Sequence, residues 1–223
     1  MTRSISIWVQ NFQQGALHNG DGDPEDRWPL FVERIRASGV APDLVLGCEA
    51  VGWSAFGHRQ LARAMRDLDM DACPLPPSSS GMPPVLFYRR ETMGRWTRWN
   101  IDFAAQSLHG FGVATFDLGL PAPLAVAPAH LDPFSADRAR AEAKLVATRA
   151  YRYGPYAIVG GDINYPPHSP SHPAPGYASM RPYSRSSRTR LPSESGDGPV
   201  PVLDRRVAEM LSYSGYVDAA WEL

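Results

Sequence analysis

The order of its apolar runs predicts that this chain folds as a mixed α/β (α+β) sandwich, with helices outside packed, mostly antiparallel sheets. Two observations carry the prediction. Strand and helix patterns alternate as far as Asp69, and again from Ala136 onward. Between Val85 and Leu131 successive strand-like runs follow one another, punctuated by Gly and Pro, with no helical period of useful length.

Taken in order, Ser4 to Asn11 (SISIWVQN) sets Ile5, Ile7 and Val9 against Ser4, Ser6 and Gln10, the alternation of a half-buried strand, and stops at Asn11. Trp28, Phe31, Val32 and Ile35 recur at helical spacing until Ser38-Gly39 supplies a stop. Asp43 to Glu49 (DLVLGCE) is a second apolar strand, ending in an acid. Leu61, Ala64, Met65 and Leu68 mark a helix from about His58 to Asp69. A loop rich in Pro, Ser and Gly (PLPPSSSGMPP) then leads into VLFYRR, RWTRWNIDF and GFGVATFDLGL, which read as antiparallel sheet.

Leu124 to Leu131 (LAVAPAHL) is a further strand, and Pro128 makes it an edge or bulged one. Ala136 to Tyr153 is the longest helical pattern. In AIVGGDINY, Ala157 to Val159 reads as a short buried strand, after which Gly160 and Gly161 open the backbone. If strand geometry persists, Asp162 and Asn164 point to the same side. Tyr165 to Pro201 reads as nearly all loop, and Val202 to Tyr213 as an amphipathic helix. The whole chain, residues 1–223, is taken as a single domain, long enough for a substantial core.

Composition narrows the function classes. A net charge of -1 argues against binding nucleic acid through bulk positive charge, though not against a nuclease with a local basic groove. No apolar run approaches the roughly 20 residues of a membrane span, and the N-terminus lacks a signal-peptide core. A cytoplasmic location is the resulting expectation. Cys48 and Cys73 make neither a disulfide framework nor a zinc pattern.

The chemistry gathers at strand ends. Asn11 closes the first strand, Glu49 the second, His130 closes LAVAPAHL, and Asp162 with Asn164 follow the last. Taken singly, each has an ordinary explanation: a turn residue, an Arg partner, a core histidine. Together they form an oxygen-rich set that suits a hard cation such as Mg²⁺, which polarises a phosphoryl oxygen and stabilises a leaving group.

In order and spacing, Asn11 in SIWVQNFQQG, Glu49 in PDLVLGCEA, His130 in AHLDPFS, and Asp162 with Asn164 in GGDIN resemble the endonuclease/exonuclease/phosphatase superfamily. RARAEAKL after His130 and the closing GYVDAAWEL resemble it too, so the likeness covers essentially the whole chain. It implies a four-layered α/β sandwich and Mg²⁺- or Mn²⁺-dependent phosphoester hydrolysis. Glu49 would then be the main metal ligand, helped by Asn11. Asp162 would orient or deprotonate the attacking water, and His130 and Asn164 would hold the phosphate. Ala129 departs from the Thr or Ser the family more often places before the His.

The family's final Asp-His would fall beyond Leu223, so the sequence is expected to be a truncated form, or else a natural short form with altered chemistry. That departure keeps a second reading open: a non-catalytic member acting as a binding module. The loop at 165–201 carries Arg181, Arg185, Arg188 and Arg190 with Tyr177 and Tyr183. Arg forks suit phosphate and Tyr stacks on bases, so Arg181, Arg185, Arg188 and Tyr183 are its candidate substrate contacts. The expected partner is a phosphoester: a small molecule, a lipid headgroup or a nucleic acid. The near-neutral charge favours the smaller ones. The oligomeric state is open.

Overall fold

The computed structural model describes residues 4–169, 171, 172, 174, 176–191 and 201–222. They fall into two compact units, Met1–His130 with Arg149–Asp162, and Leu131–Thr148 with Ile163–Leu223.

The first unit holds two four-stranded sheets. In one, β1 (Ile7–Asn11) pairs in parallel with β2 (Leu44–Cys48), which pairs antiparallel with β4 (Val85–Tyr88), and β4 with the short β3 (Asp71–Ala72). In the other, β5 (Trp96–Asn100), β6 (Val113–Phe116) and β7 (Leu124–His130) are antiparallel, and β8 (Ala157–Asp162) joins β7 in parallel.

Side-chain alternation divides β2 between two cores. Val45 faces α1 (Trp28–Ala37) and α2 (Ala55–Leu68), in a cluster with Phe12, Trp28, Phe31, Trp53, Leu61 and Phe87. Leu44 and Leu46 face the second sheet, packing with Leu86, Tyr88, Ala114, Phe116 and Val126. The regular part of α2 begins after Phe56, Gly57 and His58, all of which have positive φ, so the expected start near His58 holds.

Several expectations change. VLFYRR does not join the two runs after it: Val85–Tyr88 lies in the first sheet against β2, and the short helix α3 (Arg90–Met93) follows it. Pro128 is not on an edge strand, because β7 runs between β6 and β8 and all seven of its residues are buried. Its missing N–H is tolerated because the ladder to β6 ends at Val126, leaving Pro128 with a strand partner on the β8 side. Ile7 and Val9 are 39% and 50% exposed instead of buried, since β1 is the edge of its sheet.

The second unit contains most of α4 (Ala136–Tyr151) and the segments after Asp162. The stretch 165–201 is less loop-like than expected: α5 (Pro182–Arg188) and a two-strand ladder, Thr189–Arg190 with Val202–Leu203, lie in or against it. Residues 192–200 lie outside the described residues. The final amphipathic helix is Arg206–Tyr213, because Val202 and Leu203 pair as strand. Buried Asp204 accepts from Arg206, whose guanidinium also reaches Asp137 at 2.7 Å, tying this helix to α4. No helix among the described residues is long and apolar enough to cross a membrane.

Candidate active site

Three strand ends of the first unit meet at one carboxamide. Asn11 Nδ2, at the end of β1, donates to Glu49 Oε1 at 2.9 Å and to Asp162 Oδ2 at 3.0 Å. Its carbonyl Oδ1 accepts from the Gln13 backbone N–H at 2.8 Å. A single Asn therefore spends both amide hydrogens holding two carboxylates that would otherwise repel.

Glu49 is set by backbone as well as by Asn11. It has φ +60, a left-handed conformation uncommon for Glu, directly after the buried β2. Its Oε2 accepts from Gln14 N–H at 2.9 Å. Gln14 lies in a tight turn, Gln13 to Ala16, whose residues all have positive φ. Trp53 Nε1 pins that turn by donating to Gly15 O at 2.8 Å. A Cβ on Gly15 would sit 2.3 Å from Val51 O, so only glycine fits there. The Gln-Gln-Gly of the sequence is thus the clamp on the acid.

Asp162 ends β8, which continues through both glycines instead of stopping at Val159. Cys48 joins the two sheets beneath it: Sγ accepts from Asp162 N–H at 3.2 Å and donates to Ala129 O at 3.3 Å. Burial pushes this thiol up to about 12. His130 closes β7 opposite Asp162 in the ladder. Burial lowers its pKa, partly offset by the charges of Asp162 and Glu49.

The remaining expected residues lie in the second unit. Strand geometry does not persist to Asn164, which has φ +64. Its Nδ2 donates to Leu131 O at 2.8 Å and its Oδ1 accepts from Arg188 at 2.9 Å. Arg185 donates to Ala178 O and lies over the Tyr177 ring, 5.2 Å from its centroid. Arg181 meets the hydroxyl of exposed Tyr183 at 3.3 Å.

Among the described residues no group of three or more His, Cys, Asp or Glu side chains could hold a metal ion. The donor set at Asn11 nevertheless fits a hard divalent cation, because Mg²⁺ takes one or two carboxylates and completes its shell with waters and phosphate oxygens. Sequence reasoning missed Gln14, which offers only its backbone, and His109, which stacks on His130. A lone His just outside a strand pattern carries no signal that could have found it.

No protein-family model matches the sequence, and no curated protein matches it. The likeness lies in structure, and at identities below 20% it is a likeness of fold. One solved match is ANGEL2, a 2',3'-cyclic phosphatase, with TM-score 0.54 and 14% identity over 74% of this chain and 54% of that one. Another is the catalytic domain of human Nocturnin with bound sulfate, at TM-score 0.51 and 18% identity over 73% and 65%. TDP2 from C. elegans matches at TM-score 0.51 and 14% identity over 90% and 62%. This chain therefore spans between about half and two thirds of each solved relative.

Proposed function

We propose that this protein is a divalent-metal-dependent phosphoester hydrolase acting on a small phosphoester. The observation that supports this best is the bridging of Glu49 and Asp162 by the amide of Asn11. Three residues from strand ends far apart in sequence converge on one point, and no packing requirement asks for two carboxylates there.

In this reading Glu49, with Asn11 beside it, holds Mg²⁺ or Mn²⁺. When bound, the ion supplies Lewis-acid polarisation of the phosphoryl group and charge stabilisation for the leaving oxygen. Asp162 orients the attacking water and takes its proton. His130, held neutral near pH 7 by burial, donates a ring N–H to a phosphoryl oxygen. Within the second unit Leu131 and Arg188 hold the amide of Asn164, for which the resemblance implies a phosphate contact. Because Arg188 already engages Asn164, its part is to orient that amide more than to meet substrate directly.

The test is hydrolysis of p-nitrophenyl phosphate, bis(p-nitrophenyl) phosphate and nucleoside 2',3'-cyclic phosphates with Mg²⁺ or Mn²⁺. A general base contributes about 10²- to 10⁴-fold, so Asp162→Ala is expected to lose at least about a hundredfold in kcat. Glu49→Ala is expected to lose metal-dependent turnover. Wild-type rates in either variant sink the assignment. A second reading, a non-catalytic binding module, draws on the presence of just two carboxylates at Asn11 among the described residues; it predicts metal binding with no turnover on any of these esters.

A further inference from the structure

We infer that His109 is a positioning residue for His130, and that the Pro/Ser/Gly-rich loop before β4 exists in part to hold it. The inference rests on the hydrolase reading for its kinetic consequence, though not for its geometry.

His109 and His130 are both nearly fully buried, 3% and 4% exposed. Their rings stack with centroids 3.8 Å apart and planes within 5° of parallel. A histidine that must present one ring nitrogen to a reacting group is ordinarily oriented by a hydrogen bond at the other. Here His130 Nδ1 is buried without a hydrogen-bond partner. Rotation about χ2 is soft for an aromatic ring, so packing against a flat neighbour must fix the plane, and His109 is that neighbour.

His109 is itself held from the loop. Its Nδ1 lies 2.7 Å from Ser80 Oγ, which also accepts from Met82 N–H at 3.2 Å. Ser80 N–H and Ser79 Oγ both donate to Leu108 O, at 3.1 and 2.9 Å. Gly110, at φ +74, lets the chain pass so close to Pro77 that a Cβ would lie 2.0 Å from its carbonyl oxygen. The far end of the loop reaches the acid: Pro83 O accepts from the N–H of Ala50, next to Glu49, at 2.9 Å. One loop therefore braces the turn carrying Glu49 and the ring stacked on His130.

The experiment combines kinetics with imidazole NMR of labelled protein for His109→Ala, His109→Phe and Ser80→Ala, with His130→Gln to assign the His130 signals. Wild type is expected to give a single set of His130 ring resonances, shifted upfield by the facing ring. In His109→Ala that shift is lost and the ring signals broaden. His109→Phe, which restores a flat neighbour, recovers them. Misplacing a reacting group by about an ångström costs up to about a hundredfold, so kcat of His109→Ala is expected to fall between about tenfold and a hundredfold. KM and metal affinity stay within about twofold, and the Phe variant regains most of the rate. Unchanged His130 resonances in His109→Ala overturn the inference, as does a Phe variant that folds but recovers neither signal nor rate. If His109→Ala does not fold, Ser80→Ala decides: an intermediate loss of the His130 shift supports the inference and a wild-type spectrum refutes it. If no ester is turned over, the NMR arm stands alone, so failure of the hydrolase reading is told apart from failure of this one.

Discussion

Cys48 shows how a single side chain can serve the site without taking part in chemistry. Its thiol accepts from the Asp162 backbone and donates to Ala129, linking strands of both sheets under the carboxylate. Burial raises its pKa from 9.0 to about 12. The sign follows directly: the unfolded chain releases this proton at a lower pH than the folded one. The stabilisation is therefore complete below pH 9 and is lost as pH rises toward 12. Cys48 is expected to contribute about 1.4 kcal/mol per pH unit to the fall in stability between pH 9 and 11, alongside buried Cys73, so urea midpoints should fall less steeply in Cys48→Ala. A thiol reagent at pH 8 should leave Cys48 unmodified until denaturant is added; rapid labelling of the folded protein would contradict the burial argument.

Among the elements, β8 is tightly constrained. It lies so close to its neighbours that a Cβ on Gly160 would come within 2.6 Å of Leu46 Cδ1. One on Gly161 would come within 1.9 Å of Ala129 O, and Gly161 also has φ +143. The glycines therefore do not open the backbone after the strand. They are what allows the strand to deliver Asp162 beside Asn11. Gly161→Ala combines backbone strain with overpacking, and an expected cost of about 2–4 kcal/mol follows. Thermal or chemical denaturation measures it, and a shift smaller than that of an ordinary surface substitution would mean the strand can move aside. The turn Gln13 to Ala16 works by the same logic on the Glu49 side, where Trp53 fixes a run of left-handed residues.

For the whole molecule the proposed function predicts linkage between metal and stability. Two carboxylates held together by one amide gain from a cation beside them, and the unfolded chain has no such arrangement. Mg²⁺ at about a hundred times its dissociation constant is expected to add about 2.7 kcal/mol. The measurement is the unfolding midpoint against Mg²⁺ concentration, with chelator as the baseline. Glu49→Ala should flatten the curve. A wild-type curve as flat as that of the variant would remove the metal from the site.

The polar strand ends were legible because each interrupts a clear apolar run, and order along the chain is a property the sequence holds outright. So were α1, the regular part of α2, and most strand positions, since period and burial face are local signals. Strand partners were not. Val85–Tyr88 joined β2 instead of the strands that follow it, Pro128 came to lie inside a sheet, and the apolar alternation of β1 was left partly exposed at an edge. Nor was the stack of His109 on His130, which depends on a loop and a strand brought together from different parts of the chain. Periodicity states which way a side chain faces, while pairing and close approach are settled by long-range packing. The sequence by itself thus determined which residues stand ready at the strand ends. Tertiary structure alone decided that Asn11, Glu49 and Asp162 share one amide, because only the packing of one sheet on the other brings those ends within hydrogen-bond reach.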